Sequence, residues 1–330
     1  MNGGSLNLKI LVPLSKSEYL DSYVKAGADE FYFGFYDDKW EDSFGIYSDI
    51  NRMSGFGKLA NPYHFDQMAE VTQKIKCHNK KAFVTMNANS YSQDQIRYIE
   101  KNYFPILKKI RVDGVILSDI NAMLTALKHG LKPVASTMCG IYNSDIAKMY
   151  RKLGVKRMIL PRDLSLDEIS DICKKIPDVE FEAFFLRNGC VFSDCYCLGM
   201  HRPECGATCT YTRYNKNYYE SDYRDFENCH DTDVNDYLYR NMFRLDACAM
   251  CALYRLEQMG IKSLKIVGRA DNFKGIYRDI ELTRKNIRIM ERSRTEEEYC
   301  RMMYMPEDYP QKCRMGFCCY YPEVRFGNII

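Results

Sequence analysis

Six cysteines in the second half of the chain stand at spacings that let thiolates converge on one centre. Cys190 and Cys197 are seven positions apart, Cys205 and Cys209 form C-x3-C, and Cys248 and Cys251 form C-x2-C. Thiolates are soft ligands that favour iron–sulfur clusters or zinc. A cubane takes four ligands, so these six cannot all serve one. An iron–sulfur centre, a zinc ion holding an irregular loop, and unligated buried thiols are the three readings of the pattern. The chain holds 15 cysteines in 330 residues, of which only Cys77, Cys139 and Cys173 precede residue 185. Grouping of this kind, in a chain with no export signal, points to metal or redox work more than to disulfides. Cys77 and Cys173 fall at helical positions and are expected in core packing.

Other chemistry-bearing side chains sit where short apolar runs end: Asn87, Ser118, Asp119, Ser136, Arg162 and Arg269. Arginine can grip a carboxylate or phosphate through two parallel hydrogen bonds. For Arg162 and Arg269 the alternative is an ion pair that closes a rim. Cys139, just beyond Ser136, can line a pocket, touch a metal cluster or be a small buried thiol.

The elements that must position these residues are legible from hydrophobic pattern. Apolar runs at Ile10–Pro13, Glu30–Phe33, Ala82–Met86, Gly114–Leu117, Pro133–Ser136, Arg157–Leu160, Glu180–Phe185 and Ser263–Val267 read as strands. Helical stretches at Ser17–Ala26, Tyr63–Cys77, Gln93–Ile110, Ile120–His129, Ser144–Leu153 and Ser165–Lys175 alternate with them. Continuous apolar strands separated by helices are parallel βα units, and eight of them make an α/β, TIM-like (β/α) barrel. The gap before the eighth run is too long for one helix, so a cysteine-rich insertion, about 187–250, must lie before the last strand. A loop of that length needs something to tie it down. The barrel is expected over 1–270, with 271–330 as a C-terminal helix (Tyr277–Arg292) and a cysteine-rich tail. The strand-end polar residues then surround the C-terminal mouth, the catalytic face of such barrels.

A net charge of +3 advertises no global attraction to nucleic acid. No run of about 18 apolar residues is present, and the first apolar stretch, Ile10–Leu14, is too short for a signal or a span. A cytoplasmic protein with no membrane partner is expected. Gly55-Phe56-Gly57-Lys58-Leu59-Ala60 fits G-x-G-x-x-A but follows no strand, so it is discounted as a dinucleotide site. The five histidines form no metal pair on one helix. The tyrosines around Tyr211–Tyr223 can stack on bases or pack a loop.

In order along the chain these motifs resemble those of the peptidase U32 family. Ala26-Gly27-Ala28-Asp29 leading to Tyr32-Phe33-Gly34 is similar to its opening motif. Val84-Thr85-Met86-Asn87, Asp113 to Asp119, and Ser136-Thr137 with Asn143 resemble successive strand ends. Leu160-Pro161-Arg162-Asp163-Leu164-Ser165 is similar to "LPRELS", and Lys265-Ile266-Val267-Gly268-Arg269 to "KIEGR". Cys190, Cys197 and the Cys205–Cys209 pair are spaced like the family's cysteines. The likeness covers roughly 8–285. Arg187-Asn188-Gly189-Cys190 stands where the family has "HGALC", Val267 replaces a glutamate, and the tail with Cys300, Cys313, Cys318 and Cys319 lies outside the pattern.

The resemblance implies an enzyme. Members were first labelled collagenase-like peptidases. Other relatives carry a 4Fe–4S cluster and hydroxylate without dioxygen, acting on an RNA base or, as a pair of related proteins, on a quinone precursor, with prephenate as oxygen donor. By that resemblance Cys190, Cys197 and Cys205 are cluster ligands, with Cys248 as the fourth and Cys209, Cys229 and Cys251 as rivals. Arg162 and Arg269 would hold a carboxylate-bearing donor, with Asn87 and Ser136 beside them. The substrate would be a small molecule or an RNA base, and a second U32-type protein a partner. A U32 peptidase and a metal-stapled RNA- or partner-binding module are the competing readings.

Overall fold

The computed structural model describes residues 8–45, 48–190, 193–197, 247–306 and 319–325, together with Tyr309 and Cys313. All eight expected runs form strands. They are β1 (Lys9–Pro13), β2 (Glu30–Phe33), β5 (Lys81–Met86), β6 (Gly114–Leu117), β7 (Pro133–Ala135), β8 (Arg157–Ile159), β9 (Glu180–Leu186) and β10 (Ser263–Ile266). They close into a parallel barrel in the order β1-β10-β9-β8-β7-β6-β5-β2. Two more short strands, β3 (Phe35–Tyr36) and β4 (Tyr63–His64), pair in parallel outside it.

The strands are apolar on both faces because one face fills the barrel and the other carries helices. Side chains such as Ile10, Phe33, Val84, Val115, Ala135, Met158, Phe185 and Ile266 are fully buried. Closure is set by Lys9 opposite Ser263 and Leu11 opposite Glu30. A register shift lies between Lys265 and Ile266, where β10 pairs with β9. Such an irregularity re-aims the side chains that follow it.

Two expected helices are interrupted, each for a local reason. Tyr63–Cys77 was expected to be one helix. Instead His64 accepts from the Asp66 N–H while its own N–H donates to Gln67, a capping box that starts the turn at Phe65. Tyr63 and His64 are left outside as strand, and the helix proper is Met68–Cys77. Gln93–Ile110 contains a π-helical segment at Ile99–Tyr103. It precedes Pro105, which lacks the N–H that an uninterrupted α-helix would use. Cys77 ends its helix exposed, against the expectation of core packing, because it lies off the face that buries Val71 and Ile75. Cys173 is buried as expected.

The 18-residue helix Phe273–Met290 packs against β1 and the helix Leu20–Ala26. Beyond it the chain returns to the barrel. The Tyr320 N–H donates to the Cys248 carbonyl at 3.0 Å, and the Tyr320 hydroxyl to the Arg187 carbonyl at 2.5 Å. Among the described residues no helix is long and apolar enough to cross a membrane.

Charged side chains occupy the barrel interior near the N-terminal ends of the strands. Arg157 binds Glu30 with both terminal nitrogens and donates from Nε to Glu182 at 2.5 Å. Ser263 donates to Glu30 at 3.1 Å, and Lys265 Nζ lies 3.5 Å from Glu182. Burial alone would raise the Glu30 carboxyl, but Arg157 holds it below its ordinary value. Two cations and two anions balance here.

Candidate functional site

A cavity of about 420 Å³ opens at the C-terminal mouth of the barrel. Its wall includes Arg162, Arg269, Asn87 and Ser136, four of the six polar residues expected at strand ends, and also Cys190. Strand geometry brings them together, because each follows the last residue of a parallel strand and all parallel strands end on one face. Asn87 Nδ2 donates to Ser136 Oγ at 3.0 Å. Lys265, Val267 and Arg269 all reach the cavity, spaced two apart along the end of β10.

The two arginines differ in their partners. Arg162 donates from Nε to Asp194 Oδ2 at 2.8 Å, binds the Asn188 carbonyl, and lies 4.2 Å from the Phe184 ring centre. It has a carboxylate and is closed into the rim. Arg269 has none among the described residues. Its NH1 donates to Thr85 Oγ1 at 2.7 Å and Asn61 Oδ1 at 3.1 Å, and its NH2 to Asn51 Oδ1 at 3.0 Å. Burial lowers its pKa to about 10, and the nearby Arg52 pushes the same way. A guanidinium held this way keeps its charge at neutral pH while its cage supplies only neutral oxygens.

Arg52, Asp194 and Thr137 were not singled out in the sequence. Arg52 NH1 donates to Asp194 Oδ1 at 2.5 Å, and Thr137 Oγ1 to Asp194 Oδ2 at 2.9 Å. Asp194 is 1% exposed. Burial would raise its carboxyl, yet Arg162 and Arg52 hold it well below the carboxylate range. The signal that could have found it is its position as the lone carboxylate between Cys190 and Cys197. Asp194 lies behind the wall; the carboxylate that lines the cavity among the described residues, Asp271, is bound to Arg187 and Asn188 at 3.2 Å each. Among the described residues, Arg52 and Arg162 near the mouth therefore share Asp194, while Arg269 has no carboxylate.

Lys265 reaches the cavity from below, with Nζ 4.0 Å from the Tyr32 ring centre. Burial lowers its pKa to about 8 against the pull of Glu182, with Arg157 and Arg269 adding to the drop.

Other expected residues fall elsewhere. Asp119 caps the helix Ile120–Lys128, accepting from the Ala122 N–H at 2.9 Å, and also accepts from the Tyr91 N–H. Ser118 does not line the cavity. Nor does Cys139, whose Sγ lies 3.6 Å from the Leu117 carbonyl and whose pKa burial pushes up to about 12.

The cysteines separate into two neighbourhoods. Cys190 lines the cavity, and Cys195 and Cys197 lie in the rim segment that carries Asp194. Asn89 Nδ2 donates to the Cys197 carbonyl at 2.8 Å. Cys248 is buried beside Cys319, with which it forms a parallel backbone bridge, and feels Cys251 and Cys313 as well. Cys205, Cys209, Cys229 and Cys318 lie outside the described residues. Thiolates suit an iron–sulfur cluster or zinc. However, among the described residues no three His, Cys, Asp or Glu side chains are arranged to hold an ion. The described rim thus supplies only part of a ligand set, Cys190 and Cys197.

Comparison with known proteins places this geometry. The profile of Peptidase family U32 matches residues 15–326. An uncharacterized protease of Methanocaldococcus jannaschii is 25% identical over 294 residues, covering 85% of this chain and 65% of the relative. A collagenase of Porphyromonas gingivalis is 23% identical over 170 residues, covering 52% and 37%. The tRNA hydroxylation protein P1 of Bacillus subtilis is 22% identical over 286 residues, covering 84% and 63%. The matches thus span less than two thirds of the length of these relatives. A solved U32 peptidase, Mk0906, superposes with a TM-score of 0.42 at 14% identity, over 56% of this chain and 72% of that one. That superposition adds nothing to the barrel described above.

Proposed function

The chain belongs to peptidase family U32, and from that membership we propose that it is an enzyme of oxygen transfer whose barrel mouth receives a carboxylate-bearing donor. The observation that carries this reading is the charge imbalance at the mouth. Arg52, Arg162 and Arg269 face a cavity of about 420 Å³; Asp194 is the shared counter-ion of the first two, and Arg269 has no carboxylate partner among the described residues. A buried cation without a partner is costly unless a ligand supplies one. A small acid such as prephenate brings that charge. Arg269 would receive a carboxylate, and Asn87 and Ser136 would orient the polar atoms beside it.

Hydroxylation of a small molecule or an RNA base is the reaction we favour. The relatives named tRNA hydroxylation proteins support it. A 4Fe–4S cluster would be held by Cys190, Cys197 and Cys205, with the fourth ligand either Cys209 or Cys229 or, brought from the second neighbourhood, Cys248 or Cys251, and with zinc as the alternative metal. When bound it would supply Lewis-acid or electron-relay chemistry. The chain's own residues bind and orient the donor and exclude water from it. A second U32-type protein is the partner this reading expects, in the cytoplasm.

Peptidase activity is the second reading, supported by the relative named collagenase. Among the described residues no histidine lines the cavity to act as a base for a nucleophile there.

The test is anaerobic purification followed by absorption spectroscopy, metal and sulfide analysis, and calorimetric titration with prephenate. About four irons and four sulfides per chain, with prephenate binding that Arg269→Ala weakens roughly ten- to a hundredfold, are expected. Stoichiometric zinc with no iron would overturn the cluster. Prephenate binding equal in wild type and variant would overturn the donor site.

A further inference from the structure

Between Cys190 and Cys197 the chain turns in a short 3-10 segment, Asp194–Tyr196, that lies on the barrel rim. Three segments far apart in sequence reach it through one side chain. Arg52 donates to Asp194 at 2.5 Å, Thr137 at 2.9 Å and Arg162 at 2.8 Å. Each follows a different strand of the barrel. Next to it, Cys195 lies against Gly140 so closely that a Cβ there would stand 3.1 Å from the Cys195 Cβ. The segment is therefore seated chiefly by one buried carboxylate and one glycine-sized space, with Asn89 donating to the Cys197 carbonyl and the Tyr142 hydroxyl meeting Ser193 at its edges. Removing one partner from a buried charge pair leaves the other charges uncompensated.

We propose that Asp194 is a positioning residue that seats the segment carrying Cys195 and Cys197 on the barrel rim and, as the one counter-ion shared by Arg52 and Arg162, sets the net positive charge the cavity presents to its ligand. The two roles pull in opposite directions when the charge is removed. Asp194→Asn keeps the shape and loses the charge. The rim segment then loosens, while Arg52 and Arg162 gain free donors for an incoming anion. A residue that merely filled space would loosen both the segment and the cavity. The second role rests on the reading of the cavity as a carboxylate site; the first does not.

The experiment uses the full chain, purified anaerobically, in wild-type and Asp194→Asn forms. Cys195, which is not among the proposed cluster ligands, reports on the segment through its rate of alkylation by iodoacetamide, followed by peptide mass spectrometry. Buried Cys173 is the internal reference. Malonate, a plain dicarboxylate, reports on the cavity by calorimetry. In Asp194→Asn the Cys195 rate should rise roughly tenfold over the Cys173 reference, and malonate should bind roughly tenfold more tightly, the scale of one lost charged hydrogen bond. Unchanged Cys195 alkylation would overturn the seating role. Weaker malonate binding would overturn the charge-setting role. Should Asp194→Asn fail to fold, Thr137→Val removes one neutral donor. It should raise Cys195 alkylation; no rise would overturn the seating role. If Arg269→Ala leaves malonate binding by the wild-type protein intact, the carboxylate reading of the cavity fails, while the alkylation arm still decides the seating role.

Discussion

The barrel interior holds two sets of buried charges, one toward each end, and they are built differently. Toward the N-terminal ends, Arg157 and Lys265 face Glu30 and Glu182 in equal number, closed by Ser263. At the mouth, Arg52 and Arg162 share Asp194, and Arg269 has no carboxylate among the described residues. Both sets lie among well-packed apolar strands, so desolvation is similar and pairing is what differs. A balanced set joins strands: Arg157 on β8 binds Glu30 on β2 across the barrel and Glu182 on the neighbouring β9. An unbalanced set keeps charge available for something from outside. The floor is read as structure and the mouth as a receptor on that ground.

The largest effect should come from breaking the floor. Arg157→Ala would leave Glu30 and Glu182 buried beside too few cations and should cost about 3–5 kcal/mol in urea unfolding. A loss no greater than that of Arg269→Ala would erase the contrast between the two ends. At the mouth, Arg269→Ala should weaken carboxylate binding roughly ten- to a hundredfold, as expected for charged hydrogen bonds, with a much smaller change in stability. Calorimetry and unfolding on the same samples would separate the two.

A smaller effect, of the same kind, should follow from Gly34→Ala. The added Cβ would run into Asn61 Oδ1 and stand 2.5 Å from Arg269 NH1. Pushing the cage should lower carboxylate affinity by roughly tenfold, since misplacing a charged group loses a hydrogen bond's worth of binding. Wild-type affinity in that variant would mean the cage tolerates displacement and does not aim Arg269.

A different kind of effect, a pH dependence of stability, belongs to Lys265, which joins the two regions. Its folded pKa is about 8, below the 10.5 of an ordinary lysine, because burial disfavours the charge. Between these values the unfolded chain holds a proton that the folded one has released. Stability from this group therefore rises with pH across that window, by up to about 1.4 kcal/mol per pH unit. Below it the lysine is charged in both states and the slope vanishes. Unfolding midpoints compared between wild type and Lys265→Met should differ in slope only in that window. Equal slopes would mean that Lys265 stays charged and belongs wholly to the floor.

Much of this architecture could be read before any coordinates. The eight apolar runs carry their own period, and parallel strands buried on both faces need little else to be recognised. Strand ends then dictated where Asn87, Ser136, Arg162 and Arg269 would gather, because every parallel strand in a barrel points the same way. Capping was less legible. The reciprocal bonds of His64 and Gln67 compete with the helical pattern of Tyr63–Cys77, and a histidine is an uncommon cap. The surface position of Cys77 was missed for a similar reason, since a helix end can turn a residue off the apolar face.

Chain pattern was thus enough for the barrel, the family and the gathering of four strand-end residues at one mouth. It left Arg162 and Arg269 indistinguishable, for each is an arginine just after a strand. Folding separated them. Asp194 meets Arg162 across 32 positions and Arg52 across 142, while Arg269 finds Asn61 and Asn51 more than 200 positions away. Hydrophobic period is local and survives in the order of residues. Charge balance is a property of distances between side chains, and those distances exist only once the barrel has closed.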